Sequence, residues 1–202
     1  MGRPSLGSER REQILEAFER CLVTRGLEAT TLEAVAAEAG VQRAAIRHFV
    51  GNRDELIAAS VDHLTQKYRA SYAEELRSLD PTGDRLGAIL DYLFLGGFVS
   101  NLSREGWATD ALRAAAVGND EARKSLRRMY GAFEKELLSE LTGAYPRADP
   151  ERARGIAYAI MCLAEEGTFM QAVGFPASRA RAARDAAGLL AKSLGKRSAA
   201  RA

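Results

Sequence analysis

An all-α fold is predicted by three features: apolar residues recur at spacings of three and four in every long segment, no stretch alternates as a half-buried strand does, and alanine and leucine abound. The helices group into a small N-terminal head containing a helix-turn-helix and a larger helical body, with a long fourth helix joining them. There is no internal repeat. At 202 residues the chain is long enough for one ample core, or for a small domain fused to a larger one.

The first helix is predicted from about Glu9 to Arg25, with Ile14, Leu15, Phe18, Cys21 and Leu22 on one stripe, a charged and solvated opposite face, and a stop at Gly26. "TTLEAVAAEAG" follows. Thr30 with Glu33 three residues on reads as a capping box, so the second helix runs from near Thr31 to near Gly40. A short third helix spans Gln42 to Val50. Steps of 100° place Gln42, Ala45, Ile46, Phe49 and Val50 on one half of its surface and Arg43, Ala44, Arg47 and His48 on the other, so one side packs and the other is basic. Asn52 is the N-cap of the fourth helix, whose stripe of Leu56, Ile57, Val61, Leu64, Tyr68, Tyr72 and Leu76 continues to about Leu79. Such a rod can join a head to a body.

"LDPTGD" at 79–84 is the clearest break, and "GAYPRADPE" at 143–151 carries two prolines. Around them helices are predicted over 84–101, 104–117, 120–142, 150–173 and 177–194. In the third of these, Ala122, Leu126, Met129, Tyr130, Phe133, Leu137 and Leu141 recur at helical spacing. "IAYAIMCLA" in the fourth is apolar all round, which predicts enclosure on several sides. The last is alanine-rich and allows close approach of another helix. The final "GKRSAARA" reads as a solvated basic tail.

Composition, with 47% hydrophobic and 28% charged residues, is that of a soluble globular protein. No apolar run reaches the roughly 20 residues that cross a bilayer. The start, "MGRPSLGSERR", lacks the apolar stretch of a secretory signal, so a cytoplasmic location is expected. Cys21 and Cys162 lie far apart in apolar helical patterns and read as small hydrophobes. The two cysteines and two histidines lack zinc-ligand spacing, and no Ser-His or Cys-His arrangement or phosphate loop appears, so neither metal, cofactor nor enzymatic activity is expected.

Charge is informative only in its placement. Residues 1–60 carry eight arginines against nine acids, whereas Ala39 to Arg53 contains three arginines and no acid. Only charges that face nucleic acid displace its counterions. Val35, Val41, Ile46 and Phe49 supply a shared core for the second and third helices, Ala36 is small where they cross, and Gly40 permits the tight turn. Outside remain residue types that reach phosphates and base edges: Arg can engage guanine bidentately and Gln can read adenine. Thr31 and Arg53 sit at helix N-termini, where backbone N–H groups favour a phosphate. A bare helical hairpin is the alternative reading of the same spacing.

Residues 8 to about 60, in "ILEAFERCLVTRGLEATTLEAVAAEAGV", "QRAAIRHFV" and "GNRDEL", resemble the DNA-binding domain of the TetR family of transcriptional regulators. The family pattern is matched by Thr31 opening the second helix, Ala39 and Gly40 at the turn, Gln42 followed by Arg43, His48, and Arg53 starting the fourth helix. Ala44, Arg47 and Val50 stand where the family usually has Gly, Tyr and Phe. Arg47 can therefore hold a phosphate or read a base, and no operator carries over from relatives.

The resemblance implies a DNA-binding domain over 8–68, its helix-turn-helix at about 31–50, and a helical ligand-binding and dimerisation domain over 80–195. It implies Thr31, Gln42, Arg43, Ala44, Arg47, His48 and Arg53 as the DNA-binding residues, with double-stranded operator DNA as partner. It also implies a homodimer formed by the last two long helices, an unidentified small-molecule effector, and the fourth helix as a lever between two dimer shapes. Gly2, Arg3 and Pro4 resemble the flexible arm of many relatives, from which an Arg can enter a minor groove. Phe94, Phe98, Trp107, Met129, Tyr130, Phe133, Met161 and Phe169 are the large apolar candidates for a ligand pocket, each also explicable as core. Glu165, beside Glu166, interrupts an apolar helix and suits a cationic ligand or an exposed dimer edge. The resulting expectation is a ligand-responsive repressor. A dimeric regulator governed by a protein partner or its own concentration, or an activator, is the alternative.

Overall fold

The computed structural model describes residues 6–78, 84–96 and 104–195. Among them are nine α-helices and no strand: α1 (Leu6–Ala29), α2 (Leu32–Ala39), α3 (Arg43–Phe49), α4 (Arg53–Ser78), α5 (Arg85–Leu95), α6 (Arg104–Ala115), α7 (Asp120–Ala144), α8 (Pro150–Ala172) and α9 (Ala177–Lys192), the last followed by a 3₁₀ turn at Ser193–Gly195. No helix among the described residues is long and apolar enough to cross a membrane. The arm residues Gly2, Arg3 and Pro4, the predicted end of the fifth helix with Phe98, and the tail beyond Gly195 lie outside the described residues.

Two compact units divide the chain: residues 1–68 with 101–129, and residues 69–100 with 130–202. α4 and α7 each contribute to both. This departs from a division at the 79–84 break, which would give residues 104–129 to the body. They belong with the head because α6 packs along α1.

In the first unit Ile14, Phe18, Leu22, Val35, Ile46, Leu56, Ile57, Leu64 and Leu112 are essentially inaccessible. Gly26, at φ 71 and ψ 170, breaks the helical backbone of α1 as the sequence predicts, and one further turn follows it. The opposite face of α1 is not wholly solvated, however: Glu19 is fully buried. It lies four residues after Leu15 and three before Leu22, on the edge of the apolar stripe. Lys67 of α4 donates to its Oε2 at 3.0 Å and to Glu105 of α6 at 3.2 Å, while His63 Nε2 stands 3.6 Å from Glu19 Oε1. Burial disfavours the Lys67 charge, but the bonds to Glu19 and Glu105 outweigh it and raise the ammonium pKa above its ordinary value.

The second unit is built on α5, α8 and α9 with the second half of α7. Ile89, Leu90, Phe94, Leu137, Leu141, Ile156, Ile160, Ala187 and Ala191 form its core, with Tyr72 and Leu76 against it. Two ion pairs brace its surface: Arg85 with Glu140 at 2.7 Å and Arg184 with Asp91 at 2.7 Å. The expected enclosure of α8 holds on one face only. Ala153, Ile156, Ala157, Ile160 and Ala164 are buried, but Tyr158 is 57% exposed and Cys162 is exposed, so Cys162 is not the packed hydrophobe the sequence implied. Among the described residues no element covers this second apolar face. Cys21 is buried as expected.

Candidate nucleic-acid interface

Two consecutive threonines share the start of α2. Thr31 is the N-cap and accepts from the Ala34 N–H at 3.1 Å. Thr30, which the capping-box spacing favours, instead turns back: its hydroxyl is buried and donates to the Gly26 carbonyl at 2.7 Å. The break at Gly26 leaves that carbonyl free of the helical ladder and so selects the later cap. Asn52 and Glu55 form the reciprocal box at α4, each accepting from the other's backbone N–H, at 3.0 and 2.7 Å.

Gly40 closes α2 in the left-handed region, at φ 64 and ψ 34, and the Gly40 and Val41 N–H groups return to Ala37 and Ala36. That turn carries the chain into α3. Ile46 is buried and Ala45, Phe49 and Val50 are half-buried, whereas Gln42, Arg43, Ala44, Arg47 and His48 are all exposed. The two halves are those of the helical wheel except at Gln42, which the wheel puts on the packed half and which is exposed because it is the N-cap, outside the helical turn proper. Side chains of α1 fix this hairpin from behind: Gln13 donates to the Ala39 carbonyl at 2.7 Å and Arg11 to the Phe49 carbonyl at 3.0 Å. The His48 and Phe49 rings meet edge to face at 4.7 Å.

Two arginines are already engaged. Arg43 Nη1 lies 2.9 Å from Oε1 of Glu33 on α2. The Glu33 carboxyl is held below its ordinary pKa chiefly by its own backbone N–H; desolvation, the next effect, opposes this, and Arg43 and the Thr31 hydroxyl add smaller lowering effects. Arg53 is half-buried and donates from Nη1 to the Thr30 carbonyl and from Nη2 to the Leu27 carbonyl, both at 2.6 Å. Arg53, expected at a phosphate, thus ties α4 to the turn before α2. The Leu27 carbonyl lies in the last turn of α1, where it also accepts from the Thr30 N–H at 3.2 Å, and the Thr30 carbonyl lies just past the end of that helix.

The apolar ligand candidates do not form one group. Trp107 (41% exposed) and Met129 (buried) belong to the first unit. In the second, Phe94 lies in the core, Phe133 and Met161 are half-buried, and Phe169 is exposed. Tyr130 donates to Glu165 Oε2 at 3.2 Å, which joins α7 to α8. A groove of about 790 Å³ lies elsewhere in this unit, between α8 and α9, lined by Cys162, Leu163, Glu166, Met170, Phe175 and Arg179 among others.

Residues 14–60, the span from the α1 stripe through the tie at Arg53, match the family model described as bacterial regulatory proteins, tetR family. Those residues are a TetR-type DNA-binding domain. Over 151 residues it is 26% identical to the HTH-type transcriptional regulator BetI of Brucella suis, covering 74% of this chain and 75% of that protein. A TetR-family regulator from Rhodococcus sp. superposes with a TM-score of 0.73 at 22% identity, over 93% of this chain and all of that one. A transcriptional regulator from Saccharomonospora viridis, solved in complex with choline, superposes with a TM-score of 0.68 at 16% identity, over 92% and 96%. With that domain the chain is a DNA-binding transcriptional regulator and not an enzyme.

Three features of this TetR-family head escape a reading of sequence alone: the Glu33–Arg43 pair, the α1 props Gln13 and Arg11, and the inward turn of Arg53. Only the first has a sequence signal, an acid in the first turn of the helix preceding the basic one.

Proposed function

We propose that the protein is a homodimeric, ligand-responsive repressor whose α3 enters the major groove of a palindromic operator. The observation that carries this is the outer face of α3: Gln42, Arg43, Ala44, Arg47 and His48 are exposed together, with no acid on that helix, on a hairpin propped by Gln13 and Arg11. Thr31 lies exposed at the start of α2, where its backbone can approach a phosphate. Arg53 acts by position, holding α4 to the turn before α2, and not as a direct ligand. One recognition helix touches few base pairs, so two heads about 34–36 Å apart are needed to read a palindrome.

The second copy is held by α8, α9 and the turn between them, whose apolar residues Tyr158, Met170, Val173, Phe175 and Leu189 are exposed among the described residues. For the effector, the Tyr130–Glu165 pair, with Phe133 and Phe169 one helical turn further along α7 and α8, offers a carboxylate in an aromatic-bearing stretch, which suits a small organic cation. A structural neighbour solved with choline supports that class. Such a ligand relieves repression only by preferring a dimer shape that no longer matches successive major grooves, and tenfold relief needs about 1.4 kcal/mol of differential binding.

Selection of bound duplexes from a random pool, followed by Arg47→Ala and Arg43→Ala, tests the reading. Base readout at either position appears as loss of preference at one base pair, about 1–3 kcal/mol, and phosphate contact as uniform weakening with a shallower salt slope. If the wild-type protein retains no duplex at low salt, the proposal is wrong.

A further inference from the structure

We infer that Glu33 is a specificity-determining residue: its carboxylate holds Arg43 so that this arginine adds little to non-specific binding and presents a set edge to a base. The inference rests on the DNA-binding role of α3 proposed above.

Arg43 is the first residue of α3, where the unpaired N–H groups of the helix already give a positive end and a second cation is unfavourable. No acid on α3 offsets it. Glu33 supplies the counter-charge from α2, in the first turn of that helix, where a carboxylate is favoured. The left-handed turn at Gly40 brings residues 33 and 43 together, so their 2.9 Å pair closes across the whole helix-turn-helix. Both side chains remain about 60% exposed, at 58% for Arg43 and 61% for Glu33. The pair is thus weak enough to yield to a better partner and strong enough to bias Arg43 in the free protein.

A guanidinium is a planar fork with five N–H donors. While Nη1 rests on Glu33, the Nε and Nη2 edge keeps two parallel donors, the arrangement that matches guanine O6 and N7. A lone phosphate, by contrast, must draw Arg43 away from an anion that also repels the phosphate itself. The carboxylate therefore subtracts one cation from the sequence-independent attraction while leaving the base-reading geometry intact.

The test uses full-length protein, a duplex recovered by the wild type from a random pool, and a scrambled duplex of the same composition. Glu33→Gln keeps the size and an accepting oxygen and removes the charge; its exposed site leaves folding intact, which a thermal melt verifies. Affinity for the scrambled duplex should rise about fivefold, with the salt slope steeper by about one for each head on the duplex, while affinity for the selected duplex rises less. In an Arg43→Ala background the same substitution should leave the slope unchanged. An equal gain on both duplexes, or a gain that survives Arg43→Ala, overturns the inference and marks Glu33 as a general repulsive charge. Failure of the wild type to hold any duplex would instead remove the DNA-binding reading, and this inference with it.

Discussion

At the scale of single residues, the most consequential side chain away from α3 is Glu19. A fully buried carboxylate survives only with a cation beside it, and Lys67, 3.0 Å away and bridging on to Glu105, is that cation. Replacing Lys67 by Met should cost about 2–3 kcal/mol, less than the ~3–5 of a wholly buried pair because the ammonium is partly solvated. Glu19→Gln in the same chain should restore much of it. The pH dependence has a definite sign. The folded pKa of Lys67 lies above its ordinary 10.5, so its contribution is complete below that value and fades as pH climbs through the higher folded value. Urea midpoints of the wild type and Lys67→Met should differ equally at pH 7 and 9 and converge above 11. A gap that widens in that range would show that Glu19 is balanced by another group.

At the scale of elements, the turn at Gly40 sets the angle at which α3 leaves α2. Its φ of 64 falls where L side chains are strained, but a Cβ there would meet nothing within 4 Å. Gly40→Ala should therefore cost backbone strain alone, about 1 kcal/mol in a denaturant titration, and Gly40→Asn less. Both should weaken the selected duplex more than the scrambled one, because a tilted helix can still touch phosphates. The helices themselves were legible, since stripes, prolines and the Asn52–Glu55 box are local signals. What was illegible depends on groups distant in sequence. The cap fell on Thr31 because a carbonyl at Gly26 claimed Thr30; Arg53 turned inward to carbonyls 23 and 26 residues away; and α6 joined the head by packing on α1. The basic face of α3 was readable because seven residues of one helix decide it.

At the scale of the whole molecule, the second apolar face of α8 and its neighbour α9 is the surface on which the proposed dimer rests. Phe175 at 52%, Val173 at 54%, Tyr158 at 57% and Leu189 at 70% exposure exceed the scattered apolar residues of an ordinary surface, and Phe175 lines the groove of about 790 Å³. A two-fold interface must be self-complementary, and this face carries both signs of charge, Glu166 and Arg179 lining the same groove. A stable dimer buries roughly 800 Å² on each partner, within reach of two helices of 23 and 16 residues. Phe175→Asp should split the dimer without unfolding the protomer, because more than half of that side chain is already in water. Sedimentation equilibrium should then give 21.9 kDa instead of twice that mass. The same variant should lose its preference for a palindrome over a single half-site, since the second head no longer arrives with the first. Were Phe175→Asp to remain dimeric and keep that preference, the pairing surface would lie elsewhere, and the open face of α8 would need a different occupant.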